Sequence, residues 1–207
     1  MSIRSMLVHV DAMKSSVRRI QIARELAEQF GAKLTALYAA TPLVFTSPAF
    51  YTGEVVAMLE EFDDERLAVA KASFGEACGL EGCKVSWAEM RGVSALQCVV
   101  EQSRFADLVV LGQRDPRDDL SATLPGDFVE SVVLQGGRPV LVLPYAGQTA
   151  SRMDRIIVAW NGSCESARAL TAAIPFLRRA ASVRVLGWTG MEAVAEGQPL
   201  DLEAYLA

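Results

Sequence analysis

Short apolar runs alternate along this chain with stretches in which apolar residues recur every three or four positions. Met6 to Val10 is a largely apolar run that stops at Asp11, which suits a parallel strand buried on both faces. Ser15-Ser16 then offers an N-cap, Val17, Ile20, Ala23, Ala27 and Phe30 follow at helical spacing, and Gly31 closes the helix. Leu34 to Ala39 reads as a second strand. Glu54 to about Cys78 reads as a helix carrying Val55, Leu59, Phe62, Ala70 and Phe74 on one side, with its acidic stretch from Glu60 to Glu65 as a solvated face. Cys83 to Glu89 alternates like a third strand with one side more exposed. Ser94 to Ser103 is helical, and Asp107 to Leu111 is a strand stopping at Gly112. A polar loop from Gln113 to Asp119 leads to Gly126 and a helix from Asp127 to about Leu134, and Pro139 to Pro144 is a last strand fenced by prolines.

Strands alternating with helices predict an α/β fold: a parallel sheet, right-handed crossovers and helices on both faces. After a linker from Ala146 to Met153 the opening pattern returns. Ile156 to Asn161 matches Met6 to Asp11, Ser163 to Arg179 reads as another helix, and Val183 to Leu186 matches Leu34 to Leu37. The expected organisation is a first domain over 1–145, a linker over 146–153, and over 154–207 an incomplete second copy that ends in the start of a helix at Asp201 to Leu206.

Composition narrows the function classes. The chain has 207 residues, 51% of them hydrophobic and 22% charged, with a formal net charge of −5. An acidic balance argues against nucleic acid or an anionic membrane as partner, since both need a basic face. The uncharged stretch from Leu34 to Gly53 is broken by Pro42 and Pro48, so it reads as a strand end and a loop rather than a membrane span. Cys78, Cys83, Cys98 and Cys164 form no CxxC pair, and no metal site is expected. They fit free thiols in a reducing, cytoplasmic setting. His9 is the only histidine, and mid-strand between Val8 and Val10 it is a poor general base, so no catalytic residue is assigned.

Three pieces in order resemble the universal stress protein family: the strand ending at Asp11 with its Ser-containing helix start, the Ala106 to Gly112 strand, and Gly126 to Val133 followed by Arg138 to Pro144. Val158 to Ser163 is similar to the second-half opening of two-domain bacterial members. The resemblance implies a five-stranded parallel sheet in the order 3-2-1-4-5, a flavodoxin-like or adenine-nucleotide-hydrolase-like sandwich. It also implies a ligand crevice at the strand ends, between the first and fourth strands. There it implies Asp11, Ala39, Gly112, Gly126 and Asp127 as the remnants of a nucleotide pocket.

Nucleotide-binding members carry Gly-x-x-Gly, about nine residues, then Gly-Ser or Gly-Thr, so that backbone N–H groups approach phosphate. Here Gly112 and Gly126 hold the first and third glycine places, but Asp115 stands where the second glycine belongs and Asp127 where the hydroxyl residue belongs. Two roles are open to Asp11, contact with a nucleoside or capping of the first helix. Gly112 serves either phosphate or a sharp turn, and Asp127 reads as an N-cap. A response-regulator reading fails, because Asp11 is followed by Ala12 and Met13 and not by a second acid.

The expectation is a regulatory or stress-response module with no cofactor, ATP being disfavoured because carboxylates lie along the phosphate path. The alternative is an ATP-binding member with weak hydrolase activity. A homodimer pairing the Pro139 to Leu143 edges is expected. The apolar loop from Thr41 to Gly53, with Phe45 and Phe50, is expected to cover the pocket or join an interface.

Overall fold

The computed structural model describes residues 2–42, 52–79, 84–146 and 153–187. The chain divides into two compact units, Met1–Met153 and Asp154–Ala207. In the first unit the order is β1 (Ser5–Val10), α1 (Ser16–Phe30), β2 (Lys33–Ala39), α2 (Gly53–Cys78), β3 (Val85–Met90), α3 (Ala95–Ser103), β4 (Leu108–Gly112), α4 (Phe128–Gly136) and β5 (Val140–Leu143). All five strands are parallel, in the order β3-β2-β1-β4-β5, the order that the resemblance implied.

Reversal of direction after β3 puts helices on both faces. α1 packs with α2, and α3 with α4, as right-handed crossovers require. One face of the sheet is closed by a core that includes Leu7, Leu37, Val99, Leu111, Phe128 and Val132. β1 lies at the centre, paired with β2 on one side and β4 on the other. Its start is clamped to β4 by Asp107, whose carboxylate accepts the backbone N–H groups of Arg4 and Ser5 at 2.9 and 3.0 Å. These bonds, the Arg4 one first, hold the Asp107 carboxyl below the usual carboxylate range.

The helix boundaries follow local chemistry. Gly31 ends α1 at φ 65°, a left-handed conformation that glycine reaches without strain. Ser94 caps α3 by accepting the Gln97 N–H. Thr41, just past β2, is tied on both sides: its carbonyl accepts from Arg66 of α2, and its hydroxyl from the N–H of Ala95. The rest of the loop that held the apolar expectation, 43–51, lies outside the described residues, as do Cys83 and the Asp201 to Leu206 segment.

Within the stretch read as plain loop a 3-10 turn forms over Asp119–Thr123. Asp118 starts it by accepting the Leu120 N–H at 3.1 Å, and Thr123 closes it through its hydroxyl on the Leu120 carbonyl. Such side-chain closures leave no hydrophobic period to read.

The second unit contains β6 (Arg155–Trp160), α5 (Cys164–Leu177) and β7 (Ser182–Gly187), with β6 and β7 parallel. Ser163 caps α5 by accepting the Ser166 N–H. The turn before it repeats that after β1: Asn161 accepts the N–H of Ser163 at 3.1 Å, as Asp11 accepts that of Met13 at 3.0 Å.

Leu111 is fully buried while Leu134, on α4, is 82% exposed. Leu111→Ala should therefore cost about 2–5 kcal/mol, and Leu134→Ala less than about 0.5 kcal/mol. Urea unfolding of the two variants checks this, and comparable losses would contradict the burial pattern.

Candidate functional site

The crevice between the ends of β1 and β4 is where an open parallel sheet reverses direction and where ligands settle in such folds. Here a side chain of the chain itself occupies it. Arg19, in the first turn of α1, is 4% exposed and reaches under the end of β1, where its Nη2 lies 2.7 Å from Asp11 Oδ2. The same nitrogen donates to Ser16 Oγ at 3.1 Å, and Ser16 Oγ accepts the Asp11 N–H at 3.3 Å. Asp11, Ser16 and Arg19 thus form a closed polar circuit inside the fold.

Gly112, at the end of β4, completes the seat. A Cβ built there would stand 2.3 Å from Arg19 Nη1, so only glycine lets the guanidinium lie against this strand. Beside the turn and phosphate roles open to it, Gly112 makes room for Arg19.

His9, 1% exposed, joins the same cluster. Its Nε2 is 2.8 Å from the Ala39 carbonyl. A carbonyl only accepts, so Nε2 carries the hydrogen. Its Nδ1 has no hydrogen-bond partner among the described residues and faces Asp11 Oδ2 at 3.6 Å. Phe128 of α4 packs on the ring at 5.2 Å. Burial, foremost, lowers the His9 pKa, with Arg19 adding to that and Asp11 opposing it. Burial alone would raise Asp11, but Arg19, His9 and the Met13 N–H together outweigh it and hold the carboxyl below its ordinary range.

Of the residues expected in the pocket, Asp11, Gly112 and Gly126 line one cleft together with Met13, Arg19 and Phe128. The cleft has about 20 Å³ of free space, enough for a water molecule. Ala39 is not in its wall: its side chain is buried in the core and its carbonyl is taken by His9. Asp127 is not in its wall either. It stands at the N-cap position of α4 but makes no side-chain cap; its carboxylate accepts the Ser131 hydroxyl at 3.0 Å. Asp115 accepts the Arg117 N–H at 2.9 Å, and the Arg117 side chain lies beside it.

A second contact ties together the loops after β1 and β4. Asp118, on the loop after β4, accepts the N–H of Lys14, on the loop after β1, at 3.1 Å. Neither Asp118 nor Arg19 stood out in the sequence. Arg19 had a signal all the same: Ser16, Arg19, Ile20 and Ala23 fall on one helical face, and a cation on a buried face needs a buried carboxylate nearby. Among the described residues no group of three His, Cys, Asp or Glu side chains could hold a metal ion, and no helix is long and apolar enough to cross a membrane.

Comparison with known proteins gives one consistent answer. The family model described as the universal stress protein family matches residues 2–144. A universal stress protein from Archaeoglobus fulgidus DSM 4304 superposes with a TM-score of 0.62 at 16% identity, over 90% of this chain and 66% of its own. The chain therefore spans about two thirds of that protein's length. UspA from Lactobacillus plantarum matches with a TM-score of 0.50 at 22% identity, over 69% of this chain and 99% of its own. Identities this low establish the fold. No curated protein matches the sequence.

Two outcomes follow for stability. Gly112→Ala must push the guanidinium off its seat, and should cost about 1–3 kcal/mol in chemical denaturation. A value near zero would mean that Arg19 relocates freely. The unfolded chain takes up a proton at His9 near pH 6.5 while the native imidazole resists it. Stability is thus full above that pH and falls as pH drops below it; the Asp11 and Asp107 carboxylates act at lower pH, their contribution falling away from the ordinary carboxylate pKa down through the lowered native one. Denaturation curves taken from neutral pH down to about pH 5 should show this first loss in the native sequence and not in His9→Gln. Parallel curves would place the acid sensitivity elsewhere.

Proposed function

The chain belongs to the universal stress protein family, and from that premise we propose that it is a cytoplasmic stress-response or regulatory module whose nucleotide crevice is held shut by its own Arg19. One observation carries the reading: the guanidinium lies between Asp11 and Gly112, at the strand ends where a nucleotide would enter. To admit a ligand there, Arg19 must leave Asp11, and a buried charge stripped of its partner costs about 3–5 kcal/mol. At about 1.4 kcal/mol per decade that is roughly two to three and a half powers of ten, so a micromolar site would weaken to between about 0.1 mM and a few millimolar.

This is a different physical cause from the one read in the sequence. Repulsion by Asp115 and Asp127 is blunted, since Arg117 stands on the first and Ser131 donates to the second. A nucleotide-binding reading keeps one point in its favour. Gly112 and Gly126 line the same cleft, and Arg114 lies beside Gly126, so a cationic group stands near the start of α4.

The assembly reading is a homodimer through β5. That strand is the edge of the sheet, and Val142 on it, with Val133 and Leu134 of α4, presents apolar surface to solvent. For the second unit we favour duplication of the opening of the first, supported by the repeated strand, turn, helix and strand and by the matching Asp11 and Asn161 turns.

Titration calorimetry with ATP and magnesium at neutral pH tests the crevice reading. The expected result is no dissociation constant below about 10 μM; tighter binding would mean that Arg19 is no barrier. Sedimentation at tens of micromolar protein should show a dimer, and a monomer alone would remove the β5 interface.

A further inference from the structure

The polar cluster at the crevice is one proton short. Arg19 and His9 both face a single carboxylate oxygen, Asp11 Oδ2, at 2.7 and 3.6 Å. The hydrogen on Nε2 is committed to the Ala39 carbonyl, so a neutral His9 turns the lone pair of Nδ1 toward Asp11 and makes no bond there. A proton arriving from solvent would go to that nitrogen and become a donor to the oxygen that now holds Arg19.

We propose that His9, Asp11 and Arg19 form an acid-operated latch on the crevice: with His9 neutral Asp11 holds Arg19 in place, and with His9 protonated the new Nδ1–H takes Asp11 and Arg19 is released toward solvent. The proposal rests on the reading that Arg19 closes the crevice. The charged groups facing His9 are Asp11, beyond the end of β1, and Arg19 on α1; β2 presents the uncharged Ala39 carbonyl and α4 the uncharged Phe128 ring. Protonation takes the cluster from neutral to a net positive charge in a buried place, and departure of Arg19 returns it to neutral. Burying an uncompensated charge is the costlier alternative.

Geometry decides which cation leaves. His9 is on the central strand, between two paired neighbours, and 1% exposed. Arg19 is the end of a long, flexible side chain, and Gln113, Arg114 and Pro125 in the wall of its cleft are exposed. Its Nε has no hydrogen-bond partner among the described residues, and the side-chain polar groups that hold its guanidinium there are those of Asp11 and Ser16.

Because His9 is the chain's only histidine, ring-labelled histidine NMR of the full chain reports one imidazole. At neutral pH it should show the Nε2–H tautomer, and its titration midpoint should lie below 6.5. The Arg19 Nε–H resonance, identified by its absence in Arg19→Gln, should be lost with that same midpoint. It should persist in acid in His9→Gln, which cannot take the proton. By linkage, Arg19→Gln should move the His9 midpoint upward. An Arg19 resonance that outlasts His9 protonation overturns the latch, as does a midpoint that Arg19→Gln leaves in place. Should either variant fail to fold, coincidence of the two midpoints in the native sequence still decides. ATP calorimetry at neutral pH separates the two readings: tight binding there overturns closure by Arg19, whereas absent binding with an immobile Arg19 resonance overturns the latch alone.

Discussion

The buried pair of Asp11 and Arg19 is the constraint on which the rest of the crevice depends. Both side chains are nearly excluded from solvent, and removing either would leave a charge that the interior cannot solvate. Such a pair adds little net stability compared with apolar residues of the same volume, because desolvation offsets the attraction. What it does is fix positions. Arg19 requires a glycine opposite it on β4, Asp11 requires the Met13 and Ser16 contacts that shape the turn into α1, and His9 is confined to one tautomer beside them. Three strands and two helices therefore meet at a place where the fold would otherwise leave a cleft.

Most of the architecture was legible in the residues. Central strands buried on both faces announce themselves as apolar runs, and Met6 to Val10 and Leu34 to Ala39 needed nothing else; Pro139 to Pro144, at the sheet edge, was marked by its apolar run and its flanking prolines. The start of a helix at Ser163 was legible too, because capping is a local event set within a few residues. Positions were found more readily than roles. Asp11, Gly112 and Gly126 do share one cleft, yet Gly112 also abuts an arginine nearly a hundred residues earlier in the chain, a long-range contact that no local pattern encodes. Asp127 sits where a cap belongs but turns its carboxylate to Ser131. Two acceptors lie within reach of a carboxylate at such a place, and spacing does not choose between them.

Arg19 escaped notice for a related reason. The first helix was read by its apolar period, and a charged residue on that period counts as a mismatch rather than a signal. A buried arginine is the more informative observation: it demands a buried acid, and Asp11 is the one that the turn before α1 supplies.

An open parallel sheet that gathers polar groups at its switch point is poorly suited to leaving them unmet. Strand ends, a helix N-terminus and glycines converge on the switch point, and their unpaired polar groups must be met by a ligand, by water or by the protein. In this chain a single arginine meets part of that need. Its planar fork engages Asp11 and Ser16 from one nitrogen and abuts Gly112; a lysine would bring a compact, strongly hydrated charge without that fork. The crevice is thus satisfied from within, and the charge that satisfies it is balanced by an acid with a histidine standing beside it. On the proposed reading, a ligand entering this site must offer Asp11 a better partner than Arg19 does, or must wait until Arg19 is gone.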